Sequence, residues 1–158
     1  MTVSSAKSLA LDMLSRRNLS ARELEDRLKR RGQDSDEISQ ALADLTRLGL
    51  IDDRRLAEQI ITAGLSHNEG PSRIQARMAS RGVPGPVRRE LYHEVLAGND
   101  WQKIALRVRE RYDMTNAKDR ARFIRHLARE GFPAHVVREV ADSAMDFVDD
   151  SGDEPQPR

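Results

Sequence analysis

The sequence of 158 residues contains no cysteine, which excludes a disulfide framework, a thiolate metal site and a cysteine nucleophile. Aromatic residues make up only 4% of the chain, whereas 34% of its residues are charged. So little aromatic bulk suits helices with narrow apolar stripes and broad solvated faces, not a thick core or a β-sandwich. Val, Thr and Tyr form no alternating run, which leaves no strand to propose. No apolar run approaches the roughly 20 residues that cross a bilayer. Met1 to Ala10 lacks a basic leader followed by a long apolar segment. The expectation is an all-α protein with no membrane span, located in the cytoplasm.

Enzyme signatures are missing too. The chain has no glycine-rich phosphate loop, no His-Glu-x-x-His and no Gly-x-Ser-x-Gly. Its four histidines, His67, His93, His126 and His135, have no cysteine or carboxylate pair beside them to complete a metal set. Asp52-Asp53 could pair around Mg²⁺, but adjacent acids at a helix start stabilise the positive end of the helix dipole without an ion. Trp101 opens a predicted helix, where it either packs or docks a partner, packing being the plainer role. No catalytic residue, metal or cofactor is expected.

What the chain does have is a repeat. Leu24, Leu28 and Gly32 are four residues apart, as are Ile74, Met78 and Gly82, and Phe123, Leu127 and Gly131. Apolar residues at that spacing share one helical stripe, and the glycine suits a left-handed cap after it. A second apolar series follows each glycine: Ile38, Leu42 and Leu45; Val87, Leu91 and Val95; Val136, Val140 and Ala144. Upstream lies a third helix with a large apolar residue before alanine: Leu9-Ala10, Leu56-Ala57 and Ile104-Ala105. Recurrence every 49 or 50 residues predicts three tandem three-helix repeats in an elongated or curved array. Their bounds are 1–51, 52–98 and 99–148, followed by a disordered acidic tail over 149–158.

Predicted helices lie near 6–17, 21–31, 36–48, 53–66, 71–81, 86–97, 101–112, 118–130 and 134–148. Ser20-Ala21-Arg22-Glu23 fits a capping box, Asp52 and Asp100 stand where caps belong, and Pro71 fits a first helical turn. Gly49, Gly70 and Gly98 fall at the breaks between helices.

The net charge of +1 hides an uneven distribution. From Asp142 to Arg158 six acids face one base, leaving +6 on the preceding residues. A basic body points to a polyanion or an acidic protein surface, and the plainer account is a solvated helical surface with a solubilising tail. Arg73, Arg77 and Arg81 form a row beside Ile74 and Met78, and the next helix adds Arg88 and Arg89. The equivalent row is Glu23, Arg27 and Arg31 in the first repeat, and Arg122, His126 and Glu130 in the third. Guanidinium forks suit phosphates and carboxylates; solvation with stems lying over apolar neighbours is the other reading of the same row.

These residues resemble the RecX family. Its first-repeat pattern of Ser-x-x-Glu-Leu and Leu-x-x-x-Gly is matched by Ser20 to Leu24 and Leu28 to Gly32. Its Leu-Gly segment leading to Asp-Asp and a Leu-Ala pair is matched by Leu48-Gly49-Leu50-Ile51-Asp52-Asp53 and Leu56-Ala57. Gly70 to Ile74, Arg81-Gly82 and Leu127 to Phe132 match its later blocks, so the resemblance covers about residues 6 to 145. Glu69 and Glu130 depart from it, since that family usually carries a base before these glycines.

The resemblance implies a monomeric, non-enzymatic negative regulator of RecA, acting in homologous recombination, DNA repair and the SOS response. It implies binding to the RecA–DNA filament and inhibition of ATPase, strand-exchange and coprotease activities. Nucleic acid would be met weakly or through the filament. Contact residues are then expected at Arg73, Arg77, Arg81, Arg88 and Arg89, with Arg27 and Arg31 next. The alternative is a helical protein that binds DNA directly without RecA.

Overall fold

The computed structural model describes residues 5–143. Ala144 and the tail from residue 149 lie outside the described residues. All regular structure within them is helical: α1 (Ala6–Arg16), α2 (Ala21–Arg30), α3 (Ser35–Arg47), α4 (Asp53–Ser66), α5 (Pro71–Ser80), α6 (Gly85–Leu91), α7 (Trp101–Arg109), α8 (Ala117–Arg129) and α9 (Ala134–Asp142). Side-chain caps fix most starts. Ser5, Ser20, Asp34, Asp100 and Asn116 each accept a hydrogen bond from the first turn they precede. Ser20 and Glu23 complete the reciprocal capping box. Asp52 accepts from the Arg55 N–H at 2.9 Å, so the first acid of the Asp-Asp pair is a helix cap.

The repeated glycines end their helices alike. Gly32, Gly82 and Gly131 have φ of 72°, 75° and 82°. The residue after each donates back across the last turn: Gln33 to Leu28, Val83 to Met78 and Phe132 to Leu127, at 3.0–3.2 Å. This is the Schellman closure. The stripe residues before them, Leu24, Leu28, Ile74, Met78, Phe123 and Leu127, are all fully buried.

One predicted helix differs. The series Val87, Leu91 and Val95 predicts a single α-helix over 86–97 with Val95 inward. Instead α6 runs on into a π-helical turn, Tyr92–Leu96, in which the Ala97 N–H bonds to the Tyr92 carbonyl at 2.7 Å. The wider turn moves the inward position on by one residue. Leu96 is therefore 0% exposed and Val95 37%.

Among the described residues the chain forms two compact units, 5–63 with 75–98 and 64–74 with 99–143. In the first, α1, α2 and α3 enclose Ala6, Ala10, Leu19, Leu24, Leu28, Ile38, Ala41, Leu45 and Ile51. In the second, α7, α8 and α9 enclose a core built on Phe123, Leu127, Phe132 and Val136. Trp101 packs edge-on against Phe132 with ring centroids 6.2 Å apart, which makes it part of this core.

The start of α5 is tied into the second unit by backbone hydrogen bonds. Gly70 offers no capping side chain and Pro71 no N–H, so the helix start needs acceptors from elsewhere. The Gly70 N–H bonds to the Glu130 carbonyl at 2.7 Å, and the Ser72 N–H to the Gly131 carbonyl at 3.2 Å. Carbonyls left over at the end of α8 thus satisfy donors left over at the start of α5. The approach is so close that a Cβ on Gly70 would lie 2.4 Å from Gly131 backbone atoms. A Cβ on Gly131 would lie 2.5 Å from the Arg73 nitrogen.

Gly32 and Gly131 play the same capping role, but nothing lies within 4 Å of a Cβ built on Gly32. Gly32→Ala should therefore cost only the left-handed strain, about 1–2 kcal/mol. Gly131→Ala adds a backbone clash and should cost about 2 kcal/mol more, by the usual scale of overpacking. Denaturant unfolding of the two variants measures the difference; equal losses would contradict the close contact.

Candidate functional site

Whether an arginine can serve a partner depends on whether the fold already uses it. In the first unit the end of α5 meets the start of α2. A Cβ on Gly82 would lie 2.9 Å from the Ser20 Oγ and 3.0 Å from the Arg22 Cβ. Beside this contact the Arg81 guanidinium grips Glu23, with Nε to Oε1 at 2.8 Å and a second nitrogen to Oε2 at 3.2 Å. It also donates to the Asn18 carbonyl at 2.8 Å. Such a forked pair is among the stronger polar contacts a protein makes.

In the second unit the equivalent positions carry the opposite signs. Glu130 stands where Arg81 does, and Arg73 stands where Glu23 does. Arg73 lies 3.4 Å from the Glu130 carboxylate and 3.7 Å from that of Glu69. Glu69 is buried, at 8% exposure. Arg81 and Arg73 are therefore tied within the fold.

The other predicted residues are placed differently. Arg88 is half-buried and donates its Nε to the Val83 carbonyl at 3.1 Å. Arg89 is exposed on α6. Arg77 is half-buried and lines a shallow groove with Arg81, Arg17 and Gln59. Arg27 and Arg31 lie in a groove of about 460 Å³ between the ends of α1 and α2. This groove is also lined by Asp12, Met13, Arg16, Arg17 and Arg30.

Five guanidiniums thus face one carboxylate. Arg16 pairs with Asp12 and Arg17 with Glu23, both at 3.2 Å. The side chains of Arg27, Arg30 and Arg31 have no ion-pair partner among the described residues. Both helices point their carbonyl ends here, which favours cations. Two helix ends, each worth about half a charge, do not balance these three unpaired guanidiniums, so the groove is suited to an anion.

Arg16, Arg17 and Arg30 were missed by reading one line along one helix. The available signal was the pairing of basic last turns, Arg16-Arg17 and Arg30-Arg31, in two helices joined by a short loop. The described residues contain no cluster of three or more His, Asp or Glu able to hold a metal. None of their helices is long and apolar enough to cross a membrane.

The family model for RecX, first three-helix domain, matches residues 6–45, the span of α1 to α3. Regulatory protein RecX of Chromohalobacter salexigens is 37% identical over 134 residues, covering 82% of this chain and 86% of that protein. The chain belongs to the RecX family. Regulatory protein RecX of Halorhodospira halophila is 35% identical over 153 residues, covering 92% of this chain and 91% of its own. The fold is similar to the crystal structure of RecX from Lactobacillus salivarius, with a TM-score of 0.75 at 19% identity. That similarity covers 90% of this chain and 96% of the other, and it speaks for the fold alone.

Within this RecX-family chain, Glu69 and Glu130 are the carboxylates that hold Arg73. Two further carboxylates sit at the start of α2, and their surroundings push them in opposite directions. Burial raises the pKa of Asp53, aided by the charges of Asp52 and Glu23 and opposed by the Ala21 N–H, so it lies above its usual range. Burial also pushes Glu23 up, but the hydrogen bond from Arg81, the Ser20 N–H and the charges of Arg81 and Arg17 outweigh it. Glu23 is held below its usual 4.5.

A depressed carboxyl contributes stability that is complete above its unfolded value and lost as pH falls through its folded value. The intact chain should therefore lose stability more steeply than Glu23→Gln between about pH 6 and about pH 3. Urea midpoints across that range measure it. Parallel curves would show that Arg81 gives Glu23 no net stabilisation.

Proposed function

We propose that this chain is a negative regulator of RecA that binds the RecA–DNA filament. It damps ATP hydrolysis, strand exchange and coprotease activity without catalysis of its own. The observation that carries this reading is 37% identity to a Regulatory protein RecX across 82% of the chain. The arginine-lined groove supports it, because a filament of protein and DNA presents both carboxylates and phosphates.

The chain works in this reading as a cytoplasmic monomer of three three-helix repeats, 1–51, 52–98 and 99–148, with an acidic tail. Several modest contacts on one scaffold add through effective concentration. Arg27 and Arg31 make the first contact, with Arg16 and Arg30 beside them. Arg77, Arg88 and Arg89 form a second set, while Arg73 and Arg81 serve mainly the fold.

The test is RecA-dependent ATP hydrolysis on single-stranded DNA with substoichiometric protein added. The intact chain should inhibit. Arg27→Glu with Arg30→Glu should raise the concentration for half-inhibition about tenfold, a loss of about 1.4 kcal/mol, with helicity by circular dichroism unchanged. No inhibition at any ratio would remove the RecA reading. Inhibition unmoved by the double reversal would remove the groove from it. Nanomolar, sequence-specific binding to bare duplex at about 150 mM salt would favour direct DNA binding instead.

A further inference from the structure

A glycine-capped helix end meets another helix start twice in this chain, through backbone at Gly131 and through the Ser20 and Arg22 side chains at Gly82, and the equivalent end at Gly32 is open. At Gly82 and at Gly131, the glycine-capped end of a helix receives the first turn of another helix against its backbone. In both cases the residue before the glycine pairs with the third residue of the incoming turn: Arg81 with Glu23, and Glu130 with Arg73. The signs reverse between the two pairs, so complementarity of charge is common to them, not one residue type.

Gly32 caps the equivalent helix end of the first repeat. Its φ of 72° and its Schellman closure match the other two. A Cβ there would meet nothing within 4 Å. Arg31 stands where Arg81 and Glu130 stand, is exposed, and has no ion-pair partner among the described residues. Arg27 and Arg30 beside it are likewise unpaired and add positive charge to the groove.

We propose that the Arg31–Gly32 end of α2 is a docking surface for a helix of another protein whose first turn carries an acidic residue at its third position. The incoming turn lays its free N–H groups over the Gly32 carbonyl region, as the Gly70 and Ser72 N–H groups do at Glu130 and Gly131. Its carboxylate meets the Arg31 guanidinium. The start of α8 in a second copy offers Asp119 as its third residue, but that carboxylate is already paired with Arg122 at 3.1 Å, so we take a helix of another protein as the occupant and separate the two by the self-association readout below. The inference shares Arg31 with the RecA reading, and the peptide assay below contains no RecA, so the two can fail separately.

The experiment uses the full chain and two synthetic alanine-rich helical peptides, one opening Ser-Ala-Glu-Glu and the other Ser-Ala-Gln-Gln. Binding is followed by the amide resonance of Gly32. The acidic peptide should move that resonance and bind about tenfold more tightly than the glutamine peptide, as a single charge-assisted contact allows. Arg31→Glu should abolish that preference and instead favour a peptide opening Ser-Ala-Arg-Arg, repeating the reversal seen at Glu130 and Arg73. Equal binding of the acidic and glutamine peptides would overturn the proposal. So would an Arg31→Glu chain, folded by circular dichroism, with unaltered preference. A thymidine oligonucleotide that shifts Gly32 while the acidic peptide does not would assign the surface to phosphates. Concentration-dependent self-association lost on Arg31→Glu would assign it to a second copy.

Discussion

The second unit depends on a contact that admits no side chain between its partners. A helix start has N–H groups with no intrahelical acceptor, and a helix end has carbonyls with no intrahelical donor. At Gly70 and Gly131 the two sets satisfy one another at 2.7 and 3.2 Å. This requires glycine on both sides, because a Cβ on either would lie within 2.5 Å of the other backbone. In the first unit the contact at Gly82 is made by the Ser20 and Arg22 side chains, and the incoming turn brings its own cap, Ser20, and a borrowed one: the Asp53 carboxylate accepts from the Ala21 N–H at 3.0 Å. The thin apolar stripes of a sequence poor in aromatics supply the cores; the glycine contacts supply the register.

Charge then sorts the surface. Two arginines of the second-repeat row are used beside these contacts, one held by Glu23 and one by Glu69 and Glu130. Arg27, Arg30 and Arg31 at the end of α2 meet no carboxylate among the described residues, and Arg16 and Arg17, paired with Asp12 and Glu23, line the same groove. One side-chain type, arginine, thus serves two purposes, and pairing decides which. A protein that regulates another through an extended surface needs cations whose attraction its own fold has not already neutralised.

Much of the fold was legible in the sequence. Leu24 and Leu28, Ile74 and Met78, Phe123 and Leu127 lie on one face by spacing alone, and a glycine four residues on has a mechanical reason to end the helix. Ser20 with Glu23, and Asp52 and Asp100, announced helix starts through purely local chemistry. The π-helical turn at Tyr92–Leu96 was not legible. Whether Val95 or Leu96 turns inward depends on packing, and both fit an apolar series.

The site was less legible for the same reason. Arg73, Arg77 and Arg81 look alike along the helix, but the partners that distinguish Arg81 and Arg73 lie 58 and 57 residues away in sequence. The groove joins the ends of two helices, so no single periodicity contains it.

The most direct test of this account is a double-mutant cycle on Glu23 and Arg81, using Glu23→Gln, which keeps the capping box, and Arg81→Gln. If the pair secures the first unit's glycine contact, the two changes should couple by about 1–3 kcal/mol in unfolding free energy. Losses that simply add, to within about 0.3 kcal/mol, would show that the contact holds without its charges.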